Sequence, residues 1–152
     1  MIGETTHRSN ATMGDKTQKG TALRSIGAVL GGLVFIFAIS TLVDVILHTA
    51  GIFPPWGQPM SDSLFGLATA YRIVIQVAGC YLTAKLALER PMKHALWLGA
   101  LGVVLSAIAT AATWNKGPEF GPHWYPIVLL LSSLPCAWIG GKLYEARHPE
   151  KA

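Results

Sequence analysis

An acidic and an imidazole side chain stand four positions apart near the end of the first apolar stretch of the sequence. The segment STLVDVILH, residues 40–48, holds Asp44 and His48, and the apolar run that it closes begins near Ile26. Residues four apart in an α-helix lie on the same face. A charged group in so apolar a stretch is costly, so it normally faces the protein interior and has a partner or a function.

Arg72 is the candidate partner for Asp44, because it interrupts the second apolar stretch in a similar position. Asp44 lies eight residues before Ile52, and Arg72 lies eight residues after Leu64. At 1.5 Å per residue each would be ~12 Å from the connection between the two stretches. We therefore expect an ion pair between antiparallel helices. Two interpretations stay open: the pair only fixes the helix register, or it takes part in binding or proton handling.

Three further polar residues complete a candidate binding site around this pair. Gln76 stands four residues after Arg72, and both His48 and His123 fall near the same end of the apolar stretches. In this interpretation Arg72 holds an anionic group, Asp44 orients Arg72, and the other three side chains supply hydrogen bonds. Two histidines alone do not make a metal site, so no metal is predicted.

The sequence lacks the common motifs of catalysis and redox chemistry. It contains no phosphate-binding glycine loop, no CxxC pair, no nucleophile elbow and no HxxxH pattern. Cys80 and Cys136 both lie inside apolar stretches without metal-ligand spacing, and we expect them to be buried as small apolar residues. The prediction is a protein that is not an enzyme and carries no cofactor.

The composition indicates a membrane protein. Of the 152 residues 51% are hydrophobic and only 13% are charged, about half of the ~25% charged share of a soluble domain. The net charge of +4 does not indicate a nucleic-acid partner, because the basic residues do not cluster with aromatic ones on a polar face. They fall between the apolar stretches, where the lipid bilayer is the expected partner.

Four stretches are long enough to cross a bilayer, which takes roughly 20 mostly apolar residues in a helix. They are residues 25–48, 64–88, 95–114 and 124–144. We predict an all-α, membrane-spanning four-helix bundle over residues 23–146. Residues 1–22 are predicted to be a disordered cytoplasmic tail, and residues 147–152 a short cytoplasmic one.

The basic residues predict the orientation of this bundle, since cytoplasmic segments of membrane proteins are enriched in Lys and Arg. With four spans, ten of the twelve basic residues fall on one side of the membrane, and both termini are then cytoplasmic. These ten are Arg8, Lys16, Lys19, Arg24, Lys85, Arg90, Lys93, Lys142, Arg147 and Lys151. A three-span alternative that omits the second stretch would place the basic loop 85–93 outside, so four spans are favoured.

Glycine spacing predicts where helices approach closely. Gly27 and Gly31 form a small-xxx-small pattern in the first span, which is typical of close packing in membranes, either within a bundle or between protomers. The two outer connections, residues 51–62 and 114–126, are rich in proline and aromatic residues. We expect both to be short and stiff, with their aromatic rings at the headgroup level.

Several motifs resemble those of a group of small bacterial four-helix membrane proteins of unassigned function. They are Asp44-x-x-x-His48, PPWGQPMSD, Tyr71-Arg72, RPMKHA and W-N-x-G-P…GPHWYP, and the resemblance covers residues 26–143. It implies a bacterial inner-membrane location and no activity. In size and span number the chain is also similar to the small multidrug resistance exporters, which use a membrane-embedded glutamate and work as dimers. Here the acid is Asp44, near the outer end and next to a predicted cationic partner.

The function expected from these residues is non-enzymatic. The first hypothesis is an outward-facing pocket within the membrane that binds or moves a small polar or anionic solute. The alternative is a structural or accessory subunit of a larger membrane complex, and a homodimer also stays open. A membrane enzyme or redox partner has the least support from the sequence.

Overall fold

The computed structural model describes the backbone of residues 3–87 and 89–151, and the side chains of residues 23–87 and 89–150. The described chain is helical and contains no strand, which confirms the all-α prediction. Its helices are α1 (Gly3–Thr49), α2 (Asp62–Leu86), α3 (Pro91–Thr113) and α4 (Trp124–Arg147), with 3₁₀ turns at Pro118–Phe120 and Pro149–Lys151. Residues 3–22, within the tail that the sequence predicts to be disordered, form the first part of α1.

All four helices include segments that are long and apolar enough to cross a membrane. These segments are Leu23–Thr49, Asp62–Leu86, Pro91–Thr113 and Pro118–Arg147. The prediction of four spans is therefore confirmed, including the second one with Arg72 inside it. The chain is a multi-pass membrane protein by the length and composition of its helices.

The connection between α2 and α3 is shorter than the sequence suggested, because α3 begins at Pro91 instead of residue 95. A proline in the first turn of a helix has no N–H to leave unpaired, and its φ is already helical. The preceding residue, Arg90, has φ 50° and ψ 61°, a left-handed conformation that is costly for a residue with a side chain. Helix α2 ends at Leu86, and the N–H of Ala87 still donates to the carbonyl of Thr83.

Small residues form the centre of the bundle, where α2, α3 and α4 pack together and α1 packs on α2 and α3. The central cluster consists of Cys80, Ala84, Ala95, Leu98, Ala137 and Tyr144. Both cysteines are buried and free, as expected. Lipid gives helices no hydrophobic drive to associate, so close backbone packing by small side chains is what holds such a bundle together.

The closest approach of α1 to α2 lies at Gly32 and Gly79, one residue beyond the predicted glycine pattern. A Cβ on Gly32 would overlap the hydroxyl of Thr83 and lie 2.9 Å from the carbonyl oxygen of Gly79, whereas a Cβ on Gly27 would meet nothing within 4 Å. A Cβ on Gly31 would meet only the end of the Leu86 side chain, at 3.1 Å. Gly27 therefore does not pack inside the bundle, because the face that α1 presents to α2 is centred on Gly32; packing between protomers, the other alternative for this pattern, stays a prediction.

Helix α1 is the least enclosed of the four spans. Only 11% of its most apolar window is buried, against 33% for α2 and for α4. Large apolar side chains such as Leu30, Val34 and Phe37 are at least half exposed. In a bilayer this surface faces lipid, so α1 is attached to the bundle along one narrow face.

Candidate functional site

The predicted ion pair between α1 and α2 is present. The Nη2 atom of Arg72 donates to Oδ2 of Asp44 at 2.7 Å. The carboxylate side chain is 17% exposed and the guanidinium side chain 33% exposed, so the pair is largely shielded but not sealed. Pairing neutralises both charges, which is the usual arrangement for ionisable groups within a membrane.

Asp44 and Arg72 do not lie at equal distances from the ends of their helices, which corrects the depth estimate made from the sequence. Asp44 lies five residues before the end of α1 and Arg72 lies ten residues after the start of α2. These separations correspond to ~7.5 Å and ~15 Å. The side chains still meet, because side chains in a helix lean toward its N-terminus. In antiparallel helices the Asp44 side chain therefore leans toward the middle of its span, and the Arg72 side chain leans toward the α1–α2 connection.

Tyr71 is a third member of this cluster. Its hydroxyl group donates to Oδ1 of Asp44, the carboxylate oxygen that Arg72 does not use. Two consecutive residues of α2 thus bind the two oxygens of one carboxylate on α1. Hydrogen bonds to an ionised group are stronger than neutral ones, so this cluster ties α1 to α2 at a second height, beyond the Gly32 crossing.

Arg72 also contacts α4 and keeps a donor that the cluster does not use. Its guanidinium carbon lies 5.8 Å from the centre of the Tyr125 ring, within the range of a cation–π interaction. The Nε atom is buried and makes no hydrogen bond among the described residues. An unsatisfied buried N–H costs ~1–3 kcal/mol, so this position of Arg72 is held against an energetic cost.

Arg72 also lines a cavity of about 230 Å³ among all four helices. Its polar lining comes from Arg72 and Gln76 of α2, Ser40 of α1 and Ser106 of α3. Apolar side chains and Gly102 form the rest of the wall. The cavity lies near the middle of the spans, because its α1 lining residues run from Leu33 to Ser40. It combines one charged donor with a few neutral polar groups, the usual composition of a small-molecule site.

Gln76 is held in this wall by a hydrogen-bond chain to α4. Its Nε2 atom donates to Oγ of Ser133 at 3.1 Å. The Ser133 hydroxyl in turn donates to the carbonyl of Leu129 at 2.9 Å. The amide group is thereby oriented, and its carbonyl oxygen makes no hydrogen bond among the described residues.

The structure does not bring the two predicted histidines into the cavity lining. Nδ1 of His48 donates to the backbone carbonyl of Asp44 at 2.8 Å, not to its carboxylate, and its ring stacks on Trp56 with centroids 3.7 Å apart. His123 stacks on Trp114 and bonds to the Trp114 carbonyl at 3.0 Å. Both rings thus belong to the aromatic connections at the ends of the helices.

Of the five predicted site residues, two line the cavity and a third binds one of these two. Arg72 and Gln76 face the cavity, and Asp44 holds Arg72. Sequence reasoning did not single out Tyr125 or Ser133 as partners of these side chains. Ser133 is fully buried, and the signal available for it was its small polar side chain on the inner stripe of the fourth span. No sequence signal distinguishes Tyr125 from an interfacial anchor.

Metal binding has no geometric support in the described part of the chain. No three His, Cys, Asp or Glu side chains there lie close enough together to hold an ion. Comparison of the chain with protein-family models, with curated proteins and with solved structures found no match.

Proposed function

We propose that the chain is a non-enzymatic protein of the bacterial inner membrane that binds a small polar or anionic solute in the cavity beside Arg72. The observation that carries this proposal is the state of Arg72, which is the charged residue of the cavity lining. One end of its guanidinium is bound to Asp44, and 33% of the side chain stays exposed. A solute with an acceptor group would bind the N–H donors that this exposed part carries.

The dimensions of the cavity favour a small solute. Ligand sites for drug-sized molecules occupy roughly 300–1,000 Å³, and this cavity has about 230 Å³. A carboxylate or a comparable planar acceptor suits a guanidinium, whose N–H donors form a rigid fork. Gln76 supplies an acceptor for a donor group on the same solute. The pair with Asp44 keeps the site neutral overall, so polar solutes without charge also fit.

The location of the protein is proposed from the charge distribution and the sequence resemblance. Basic residues at the start of α1, around the α2–α3 connection and after α4 favour cytoplasmic termini by the positive-inside rule. Similarity of the motifs to small bacterial four-helix membrane proteins supports the inner membrane. In this orientation the Asp44 cluster lies in the outer half of the membrane, and the cavity reaches the middle.

A thermal-stability assay on the purified full-length protein in mild detergent tests the proposal. Acetate, acetamide and methylammonium are added at equal concentration and equal ionic strength, because they are similar in size and differ in charge. Ligands that bind only the folded state raise the midpoint of unfolding. We expect acetate to raise it most, acetamide less, and methylammonium not at all.

Two glycine variants locate the effect. A Cβ at Gly102 would contact Gln76 and Ser133 at 3.4 Å, an ordinary packing distance, whereas a Cβ at Gly66 would meet nothing within 4 Å. Gly102→Ala should fold but reduce the cavity and the acetate effect, and Gly66→Ala should keep the effect. Equal responses to all three solutes, or an unchanged acetate effect in Gly102→Ala, would overturn the proposal.

The alternative is a structural or accessory subunit, and the weak enclosure of α1 favours it. With 11% of its apolar window buried, α1 presents a broad surface that a second membrane protein would cover. In that case Asp44, Tyr71 and Arg72 serve only to hold α1 on α2. Purification in mild detergent should then recover a partner in fixed ratio, and acetate should have no effect on stability.

A further inference from the structure

A second cavity lies at the opposite end of the α1–α3 interface and has a different chemistry. It has a volume of about 540 Å³, and the start of the spanning segment of α1, the α2–α3 connection and the first half of α3 surround it. Its charged lining residues are Arg24, Glu89, Arg90 and Lys93. Three cations against one carboxylate give this end a net charge of +2. His94 stands beside them, with Nδ1 donating to the Arg90 carbonyl at 3.1 Å.

The other part of the lining is apolar and follows directly from the charged part. On α3 it continues through Trp97 to Leu101, and on α1 it includes Ile26 and Leu30. Trp97 is 62% exposed and Ile26 is 56% exposed, which is unfavourable in water but ordinary beside lipid. The cavity is thus cationic at the membrane surface and apolar toward the membrane interior.

The length of this cavity matches one leaflet. From Arg90 to Leu101 the lining covers eleven residues of α3, ~16 Å at 1.5 Å per residue. This is about half of the ~30 Å hydrocarbon thickness of a bilayer. A soluble anion would use only the cationic end, whereas a molecule with an anionic head and an acyl chain would use the whole length.

We propose that this cavity is a binding site for one anionic phospholipid. Arg24, Arg90 and Lys93 bind the phosphate of the headgroup, and an acyl chain lies between α1 and α3 against Trp97 and Leu101. Basic pockets between spanning helices at the membrane surface are known to suit anionic headgroups. The bound lipid fills the space between α1 and α3, so it stabilises the fold. This site shares no residue with the Arg72 cavity and does not depend on the function proposed for it.

The experiment uses the intact protein in mild detergent, with phospholipids of identical acyl chains added in steps. Phosphatidylglycerol should raise the midpoint of thermal unfolding in a saturable manner, and phosphatidylcholine should not. Inorganic phosphate at equal concentration forms the third arm, because it has the headgroup charge without the chain. The phosphatidylglycerol effect should weaken as salt is added, since the contacts are electrostatic. These arms need no variant, so they stay decisive even if a variant fails to fold.

Variants then assign the effect to the cavity. Each basic residue near a membrane surface contributes a factor of about fivefold in affinity for anionic lipid. Arg24→Ala and Lys93→Ala should each weaken phosphatidylglycerol binding about fivefold, and Glu89→Gln should strengthen it by a similar factor. Arg90→Gly should weaken binding while relieving the left-handed backbone at residue 90. Lys85→Ala is the control, since Lys85 is exposed at the same end of α2 but does not line the cavity.

The outcomes separate the sources of the anion. An equal effect of phosphatidylcholine would mean that the cavity takes any lipid, and it would overturn the anionic site. An equal effect of inorganic phosphate would mean a soluble-anion site instead of a lipid site. Loss of the effect in Lys85→Ala to the same extent as in Lys93→Ala would mean that surface charge, not this cavity, attracts the lipid.

Discussion

Arg72 and Asp44 form an ion pair of 2.7 Å between neighbouring helices, and the remaining carboxylate oxygen is bound by Tyr71. Both carboxylate oxygens are thus hydrogen-bonded by α2, while the guanidinium has one hydrogen bond to the carboxylate and a cation–π contact with Tyr125. This asymmetry predicts that the two charges are not equivalent on mutation. Removing Asp44 releases two donors, whereas removing Arg72 releases one carboxylate oxygen and leaves the other bound to Tyr71.

The first prediction concerns single and double removal of the pair. Breaking a buried pair by removing one member typically costs ~3–5 kcal/mol, because the other charge is left unpaired. Because both side chains are partly exposed, we expect a cost at the lower end of this range. Asp44→Leu should destabilise more than Arg72→Met, and the double variant should recover most of the loss. Denaturant titration of the purified proteins measures this, and two harmless single changes would mean that the pair contributes nothing.

The second prediction isolates the Tyr71 hydroxyl. Tyr71→Phe keeps the ring and removes one hydrogen bond to a charged group, which is worth ~1.5–3 kcal/mol. Tyr81→Phe is the matched control, because the Tyr81 ring packs against Tyr144 and its hydroxyl has no hydrogen bond among the described residues. In the Asp44→Leu/Arg72→Met background, Tyr71→Phe should become neutral or stabilising. Persistence of its full cost there would mean that the hydroxyl acts through another group.

The third prediction tests the helix crossing. Gly32→Ala places a methyl group against Thr83 and the Gly79 carbonyl, and such overpacking typically costs ~1–3 kcal/mol. Gly27→Ala, on the same helix with open space around it, should be neutral or stabilise by up to ~1 kcal/mol through helix propensity. Thr83→Ala should relieve Gly32→Ala only in part, because the backbone contact with Gly79 remains. Equal effects at Gly27 and Gly32 would contradict this crossing point.

The fourth prediction concerns orientation. Reporter proteins fused after Ala152 and within residues 86–92 should give a cytoplasmic signal, and a reporter within residues 57–62 should give an external one. The reason is the excess of Lys and Arg at the first two positions and its absence in residues 49–63. A cytoplasmic signal from residues 57–62 would rule out this orientation.

The features that depend on composition and on a single charge pair were predictable from the sequence. The four spans follow from apolar length, and the Asp44–Arg72 pair follows from the scarcity of charges within the spans. The Gly32 crossing and the Tyr71 bond were not predictable, because they depend on the rotation of α1 about its axis by a single residue step of about 100°. The positions of His48 and His123 depend on aromatic stacking in irregular connections, for which helical spacing gives no information.

The position of Gly32 between the two cavities has a mechanical consequence. The α1 residues that line the proposed phospholipid site precede Gly32, and those that line the Arg72 cavity follow it. A rigid helix that tilts by about 5° around this point would move residues eight positions away by about 1 Å, in opposite directions on the two sides. Filling one cavity would then narrow the other, and reciprocity requires phosphatidylglycerol and acetate to weaken each other's binding by the same factor. Independent binding of phosphatidylglycerol and acetate would mean that α1 does not tilt. Mutual weakening of their binding would mean that α1 tilts about Gly32.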